Sequence, residues 1–354
     1  MTLNVLKEPS VQTDANTQAS QPLLELQHVA KRFVKPLDSA AKTANLFTQP
    51  FGRVLKEEVV HAVDDVSLHI NAGEVVGLVG ESGCGKSTLG RMVVGLHSLT
   101  EGKRLWQGED LDKLSPHQKR ERQLAIQMIF QDPYASLNPR LRVVDIVGEA
   151  PVVHGIISKG QQQEYVAELL QRVGLNGDML RRFPHQFSGG QRARVGIARA
   201  LAVKPKFLVC DEAVAALDVS IQAQVLNLFI KLRDELDLTY LFISHDLGVV
   251  RHISDRVLIM YLGRIVESAP TDAVFARANH PYTQALLASA PKLEVGKATY
   301  FAVKGEIPSP LNPPSGCHFH PRCPHAMPRC SVEKPLLREI APGHMSACHL
   351  NDGQ

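Results

Sequence analysis

The segment with the clearest chemistry is Gly80-Glu81-Ser82-Gly83-Cys84-Gly85-Lys86-Ser87, which fits the phosphate-loop pattern G-x-x-x-x-G-K-[ST]. It follows an apolar run at 74–79, typical of a buried strand, and precedes a helical pattern that begins at Lys86. Its glycines let successive backbone N–H groups point at phosphate oxygens beside a helix N-terminus. We expect Lys86 to reach the β- and γ-phosphates of a nucleotide, Ser87 to offer its hydroxyl to Mg²⁺, and Cys84 to fill space. Thr88 completes the predicted nucleotide-binding residues of the loop. A glycine-rich turn that merely contains lysine is disfavoured by the flanking strand and helix.

Two adjacent carboxylates end another apolar run, Phe207 to Cys210. Ligands bind at the carboxyl ends of the strands in open α/β sheets, so Asp211 and Glu212 are placed to act there. We expect Asp211 to enter the Mg²⁺ shell and Glu212 to polarise an attacking water. Without a phosphate loop, such a pair would be an ordinary surface feature.

A second glycine pair stands at 187–192, Phe-Ser-Gly-Gly-Gln-Arg, before a helical pattern. This string resembles the signature motif of ABC-type ATPases, although leucine is the usual first residue. The resemblance implies that Ser188, Gly189, Gly190 and Gln191 bind the nucleotide held by the other subunit of a head-to-tail dimer.

The resemblance to ABC ATPases covers about residues 23–270 and implies further roles. Gln131 would contact Mg²⁺ and the water, Asp218 would shape the dimer seam, and His245 would hold the γ-phosphate. Phe33 is the candidate for stacking on adenine. Taken without this context, His245 would be interpreted as a core histidine.

Strand and helix patterns must place these groups together. Alternating apolar residues at 23–33 and 59–70 predict antiparallel strands, with a surface excursion at 34–58 between them. Short apolar runs at 74–79, 127–130, 207–210 and 240–243 predict buried parallel strands, with helices between them. We therefore expect an α/β fold, namely a RecA-like parallel core with an N-terminal antiparallel β subdomain, an inserted helical subdomain and a Cys/Pro-rich C-terminal appendix.

The predicted division of the chain is a flexible arm at 1–21, an ATPase domain at 22–280 with its helical subdomain at about 145–203, and an extension at 281–354.

We expect Tyr134 and Leu137 to be exposed after Gln131, where they would form a groove for a short helix of a membrane permease.

The strings 131–140 (QDPYASLNPR) and 279–287 (NHPYTQALL) resemble the ATPase subunits of bacterial oligopeptide and dipeptide importers. Ala213 and Ala215 depart from the Pro or Ser common in relatives, and neither change removes a ligand. The resemblance implies an ATP-hydrolysing motor on the cytoplasmic face of the inner membrane. Its implied partners are two permease subunits and, indirectly, an extracytoplasmic peptide-binding protein. The resemblance also implies a second, homologous ATPase subunit, and it favours a heterodimer over a homodimer. An importer for another small solute, such as nickel or glutathione, is the alternative to a peptide importer.

Four cysteines lie in the proline-rich tail: Cys317, Cys323, Cys330 and Cys348. Four thiolates can hold a tetrahedral Zn²⁺ or a [4Fe–4S] cluster, and their spacing matches neither a zinc ribbon nor a ferredoxin run. Spacing leaves zinc, iron–sulfur and free thiols open; the resemblance to peptide importers favours [4Fe–4S]. The histidines among them, His318, His320 and His325, are expected at the surface first and as ligands second.

The composition argues against other classes of protein. A net charge of +3 for 354 residues gives no general attraction for polyanions, so we expect no nucleic-acid partner. The apolar runs are too short to span a bilayer, and the start of the sequence lacks a signal-peptide pattern. A soluble ABC ATPase acting on DNA or ribosomes is the competing hypothesis, disfavoured by the single cassette and the absence of sustained heptads.

Overall fold

A computed structural model describes residues 21–36, 57–132, 134–289 and 305–352. Residues 1–20 of the predicted arm and residues 37–56 of the predicted excursion lie outside that range. The strands are β1 Leu24–Lys35, β2 Glu58–Ile70, β3 Val75–Val79, β4 Glu101–Trp106, β5 Glu109–Asp110, β6 Ile126–Ile129, β7 Phe207–Asp211, β8 Thr239–Ser244, β9 Arg256–Tyr261, β10 Arg264–Pro270, β11 Arg338–Ala341 and β12 His344–Ser346. The helices are α1 Lys86–Val93, α2 Pro116–Ala125, α3 Val143–Val153, α4 Gln162–Arg172, α5 Gly189–Leu201, α6 Val219–Leu236, α7 Leu247–Ile253, α8 Thr271–Ala276 and α9 Pro281–Ser289.

The first sheet is antiparallel, in the order β2-β1-β4-β5. The predicted pairing of the first two strands is confirmed, with Leu24 opposite Ile70 and Phe33 opposite Val60. Alternate side chains such as Leu24, Leu26 and Leu68 are buried, as the period of two in the sequence requires.

The second sheet carries the chemistry and has the order β11-β12-β10-β9-β3-β8-β7-β6. The five strands from β9 to β6 are parallel. The four predicted buried strands are all present within two residues of their predicted ends, because uninterrupted apolar runs suit strands that are covered on both faces. Their carboxyl ends therefore lie along one edge of the sheet.

Residues 143–203 form helices and turns and contain no strand, which matches the predicted helical insertion. Helices α3, α4 and α5 contribute buried residues such as Val147, Leu170 and Val195 to a core shared with β7 and β8. Ser188 caps α5 reciprocally with Gln191, a capping box that fixes where the helix begins. Leu137 is buried in this core, so its predicted exposure is wrong.

The C-terminal region differs from the separate appendix that the sequence suggests, because β11 and β12 extend the central sheet beyond β10. Glu267 on β10 pairs with Ser346 on β12. The fully buried Glu267 carboxylate accepts hydrogen bonds from the backbone N–H groups of Asn279 and His280 at 2.7 and 3.0 Å. It also lies 2.7 Å from the His344 ring. These contacts fasten the extension to the ATPase core.

None of the helices in the described ranges is both long and apolar enough to cross a membrane.

Candidate nucleotide site

The predicted site residues meet at the carboxyl edge of the parallel sheet. β3 lies between β8 and β9, and β7 lies between β6 and β8. The phosphate loop follows β3 and Gln131 follows β6. Asp211 ends β7 with Glu212 directly after it, and His245 follows β8. Four separate sequence positions are therefore brought together by strand order alone.

The phosphate loop is shaped by two glycines in left-handed conformations. Gly85 has φ of 109°, and a Cβ there would lie 2.1 Å from the backbone oxygen of Ala62. Gly83 has φ of 79°, and its surroundings are open, so a ligand can approach the backbone there. Gly85 also caps α1, whose N-terminus supplies N–H groups and a positive dipole end.

Lys86 is almost fully buried within its own loop. Its ammonium donates hydrogen bonds to the backbone oxygens of Gly80 at 2.8 Å and Glu81 at 3.0 Å. Burial raises the pKa of the neighbouring Cys84 thiol, which packs in the core as the sequence predicts. Ser82 is exposed at the loop surface, and Thr88 is half-buried on α1.

Ser87 and Asp211 form the first pair of groups with clear chemistry. The Ser87 hydroxyl donates a 2.8 Å hydrogen bond to Asp211 Oδ1. Burial raises the pKa of the Asp211 carboxyl, and the hydrogen bond from Ser87 opposes that rise. Hydroxyl and carboxylate oxygens are hard ligands that suit Mg²⁺ at the end of a bound triphosphate.

Glu212 is the centre of a second cluster. The Gln131 amide donates to Glu212 Oε2 at 2.6 Å, and His245 Nδ1 lies 3.3 Å from Glu212 Oε1. Glu212 has φ of 47°, which is unusual for a residue with a side chain and is typical of functional sites. Its backbone N–H donates to the oxygen of Ile243 at 3.0 Å, which holds that conformation.

Glu81 is directed away from the interior of the loop. Its N–H donates to the Tyr282 hydroxyl at 2.9 Å, and its carboxylate accepts two hydrogen bonds from Arg322 at 2.7 and 3.0 Å. Sequence reasoning missed Tyr282 and Arg322. The string at 279–287 was a usable signal, but no local pattern indicates which distant loop it contacts.

The signature segment lies beside the first turn of α6, the helix that Asp218 precedes. Ser188 precedes α5, and a Cβ on Gly190 would lie 2.4 Å from the Ile221 side chain of α6. Asp218 begins α6 without a side-chain capping bond. Phe33 lies at the end of β1, partly exposed, with its ring against His97 and beneath the Lys31 ammonium.

The four cysteines of the extension line one small cavity with His320 and His325. Burial raises the pKa of Cys317, of Cys323 and of Cys348, the last to about 11. Across the described part of the chain, no three His, Cys, Asp or Glu side chains are grouped as ligands of a metal ion. The predicted metal site is therefore not supported by this arrangement.

His318 is buried, with Nδ1 2.9 Å from the Leu262 oxygen, so its predicted surface position is wrong.

Together, the phosphate loop, the acid pair and the parallel sheet define a P-loop ATPase, and the inserted helical subdomain places it among ATP-binding cassettes. The family model for ABC transporters matches residues 63–215, and that for the oligopeptide/dipeptide transporter C-terminal region matches residues 266–330. The chain belongs to the ABC transporter ATPases and carries this C-terminal region, and it hydrolyses ATP.

Curated relatives and solved structures agree with this assignment. The chain is 50% identical to the oligopeptide transport ATP-binding protein AppF of Bacillus subtilis over 93% of this chain and 98% of AppF. It is 51% identical to the putative oligopeptide transport ATP-binding protein YkfD of the same organism, over 83% of this chain and 91% of YkfD. Its fold resembles the dimeric post-hydrolysis structure of the cassette MJ0796 with ADP and Pi, with a TM-score of 0.58 and 26% identity over 70% of this chain and 98% of that one.

Proposed function

We propose that this chain is the ATP-hydrolysing subunit of an importer for dipeptides or oligopeptides. The observation that carries the proposal is the Gln131–Glu212–His245 cluster beside the Ser87–Asp211 pair, in a chain whose C-terminal region matches that of peptide transporters. The relatives AppF and YkfD bear oligopeptide transport names, which favours peptides over nickel or glutathione.

In the proposed mechanism, the backbone of the phosphate loop and Lys86 bind the triphosphate of ATP. Ser87, Asp211 and Gln131 would hold Mg²⁺, which when bound neutralises charge on the phosphates. Glu212 accepts a proton from the attacking water. Gln131 and His245 flank its two carboxylate oxygens and so set the direction of the base, and His245 would contact the γ-phosphate.

We propose that two cassettes act together, because Ser188, Gly189, Gly190 and Gln191 form a second phosphate-binding turn at the start of α5. This turn would bind the ATP held by a second, homologous ATPase subunit, with Asp218 at the seam. The dimeric state of the MJ0796 cassette supports this arrangement. ATP would close the pair and hydrolysis would open it. Phe33 would stack on adenine from the first sheet.

A groove between β6 and α3, of about 630 Å³, is the proposed docking site for a permease helix. Leu96 and Val153 line it and expose 58% and 63% of their surfaces, an apolar pair suited to the buried face of a helix. Tyr134 is also exposed, with the Arg192 guanidinium 4.1 Å from its ring centre. Two permease subunits would hold the two cassettes at the cytoplasmic face of the inner membrane, with a peptide-binding protein acting on the other side.

We propose that the cysteine cavity holds a [4Fe–4S] cluster rather than Zn²⁺. Four thiols that line one cavity are the ligand set of a four-iron cluster, and the resemblance to peptide importers favours the cluster over zinc. Such a cluster would cross-link turns that otherwise contribute few apolar contacts, so its proposed role is structural.

The test is purification of the tagged full chain with its membrane partners and reconstitution of the complex in lipid. We expect ATP hydrolysis to rise when the peptide-loaded binding protein is added, and to stay at the basal rate with nickel or glutathione. Co-purification without permease subunits, or stimulation by a non-peptide solute alone, would contradict the proposal.

A further inference from the structure

We propose that Arg322, supported by Tyr282, is a positioning residue that holds the phosphate loop through Glu81, so that the C-terminal extension sets the affinity for ATP. The inference rests on the proposed role of the loop in binding ATP. It is independent of the solute carried.

Three polar groups of Glu81 are engaged at once. Its N–H is bound by Tyr282, its carboxylate by Arg322, and its backbone oxygen by Lys86. Tyr282 and Arg322 lie 201 and 241 residues away in the sequence, outside the strand, loop and helix that form the phosphate site. The loop is therefore fixed at its second residue by two parts of the extension, helix α9 and the turn that ends at Arg322.

The ion pair between Arg322 and Glu81 is largely buried and is held by two hydrogen bonds. The Arg322 side chain is 5% exposed and that of Glu81 is 23% exposed, and the two make a two-pronged contact. Arg322 also donates to the Tyr261 hydroxyl at 3.4 Å. Loss of one partner of such a pair leaves the other charge poorly solvated.

Arg322 is itself rigidly supported. Phe319 packs against Tyr261 and Tyr282, with ring centres 5.2 and 5.4 Å away, and both tyrosines are fully buried. Tyr282 belongs to α9 and Phe319 to the turn before Arg322, so the extension reaches the loop as one packed unit.

Two effects on ATP binding follow. First, an ordered loop loses less conformational entropy when it closes on the triphosphate. Second, the Glu81 carboxylate stands beside a site for anions, and Arg322 neutralises it; without Arg322, the carboxylate would repel the phosphates. Gly80, the preceding residue, packs so closely that a Cβ would lie 2.1 Å from the Met260 oxygen, so this end of the loop has little room to shift.

The experiment compares Arg322→Ala, Arg322→Lys and Tyr282→Phe in the full chain, with kcat and KM for ATP determined separately and melting temperatures recorded. Arg338→Ala is the matched control, because Arg338 lies in the same extension and forms an exposed ion pair with Asp352. We expect Arg322→Ala to raise KM about tenfold with kcat nearly unchanged, Arg322→Lys to recover part of that loss, and Arg338→Ala to change nothing. Tyr282→Phe removes only the hydroxyl, and we expect KM to rise about threefold.

A purely structural role would lower the melting temperature and the active fraction, and hence the apparent kcat, while KM stayed at the wild-type value; that result would overturn the inference. If Arg322→Ala does not fold, Arg322→Lys and Tyr282→Phe decide in the same way, since unchanged KM in both contradicts the proposal. A wild-type chain that binds no ATP would instead contradict the proposed role of the loop, so the two failures are distinguishable.

Discussion

The amide of Gln131 donates a 2.6 Å hydrogen bond to one carboxylate oxygen of Glu212, while His245 Nδ1 lies 3.3 Å from the other. Gln131 follows β6 and His245 follows β8, on either side of the strand that ends in the acid pair. The Glu212 carboxylate is therefore oriented by a contact at each of its two oxygens.

Replacement of Glu212 by Gln should separate ATP binding from hydrolysis. The amide keeps the shape of the side chain but cannot accept a proton from water, so we expect turnover to fall by about 10²–10⁴-fold with ATP affinity preserved. Phosphate release and ATP-dependent dimer formation are the measurements. Glu235→Gln, which alters an exposed ion pair with Lys231, is the control. Turnover near the wild-type rate in Glu212→Gln would exclude Glu212 as the base.

Replacement of Lys86 by Ala should weaken ATP binding itself. The ammonium is buried and bound to the oxygens of Gly80 and Glu81, so its removal deletes the positive charge and leaves both oxygens without that donor. We expect the Kd for ATP to rise more than about tenfold in equilibrium binding. Lys119→Ala, at an exposed position of α2, should bind as the wild type does. Unchanged affinity in Lys86→Ala would contradict the assigned role.

Serine substitutions at the cysteine cavity test the proposed cluster. In wild-type protein purified without oxygen, we expect about four iron atoms per chain and an absorbance band at about 400 nm. We expect Cys323→Ser and Cys348→Ser to lose both the iron and the absorbance. Cys210→Ala is the control, because Cys210 is buried in β7 away from the cavity. A colourless protein with one zinc per chain would refute the cluster.

Stability should fall in acid because of His280. Burial lowers the pKa of His280 to about 3 from 6.5, and its Nδ1 accepts the Tyr282 N–H at the start of α9. Between about pH 3 and pH 6.5, the unfolded chain binds a proton at His280 that the folded chain does not bind. The contribution of neutral His280 to the free energy of unfolding is therefore fully present above pH about 6.5. It is lost as the pH falls, by about 1.4 kcal/mol per pH unit.

His280→Asn keeps an acceptor for the Tyr282 N–H and removes the titration. Urea unfolding at pH 7, 6 and 5 should therefore show a shallower loss of stability in His280→Asn than in the wild type. His325→Asn, an exposed position of the extension, should keep the wild-type slope. Equal slopes in all three proteins would show that His280 is not the titrating group.

The sequence by itself determined the parts of this protein that short segments encode. The phosphate loop, the acid pair and the Ser-Gly-Gly-Gln turn are continuous strings, and the parallel strands are uninterrupted apolar runs. Local spacing and periodicity carry that information, because backbone conformation at a loop or strand depends mainly on neighbouring residues.

Only the tertiary structure decided which distant segments touch. It placed Arg322 on Glu81, buried Leu137 and His318, and added β11 and β12 to the edge of the central sheet. Such contacts join residues far apart along the chain, and local periodicity does not specify partners at that distance. They follow from how the extension packs to cover the open sheet edge and the aromatic residues beside the phosphate loop.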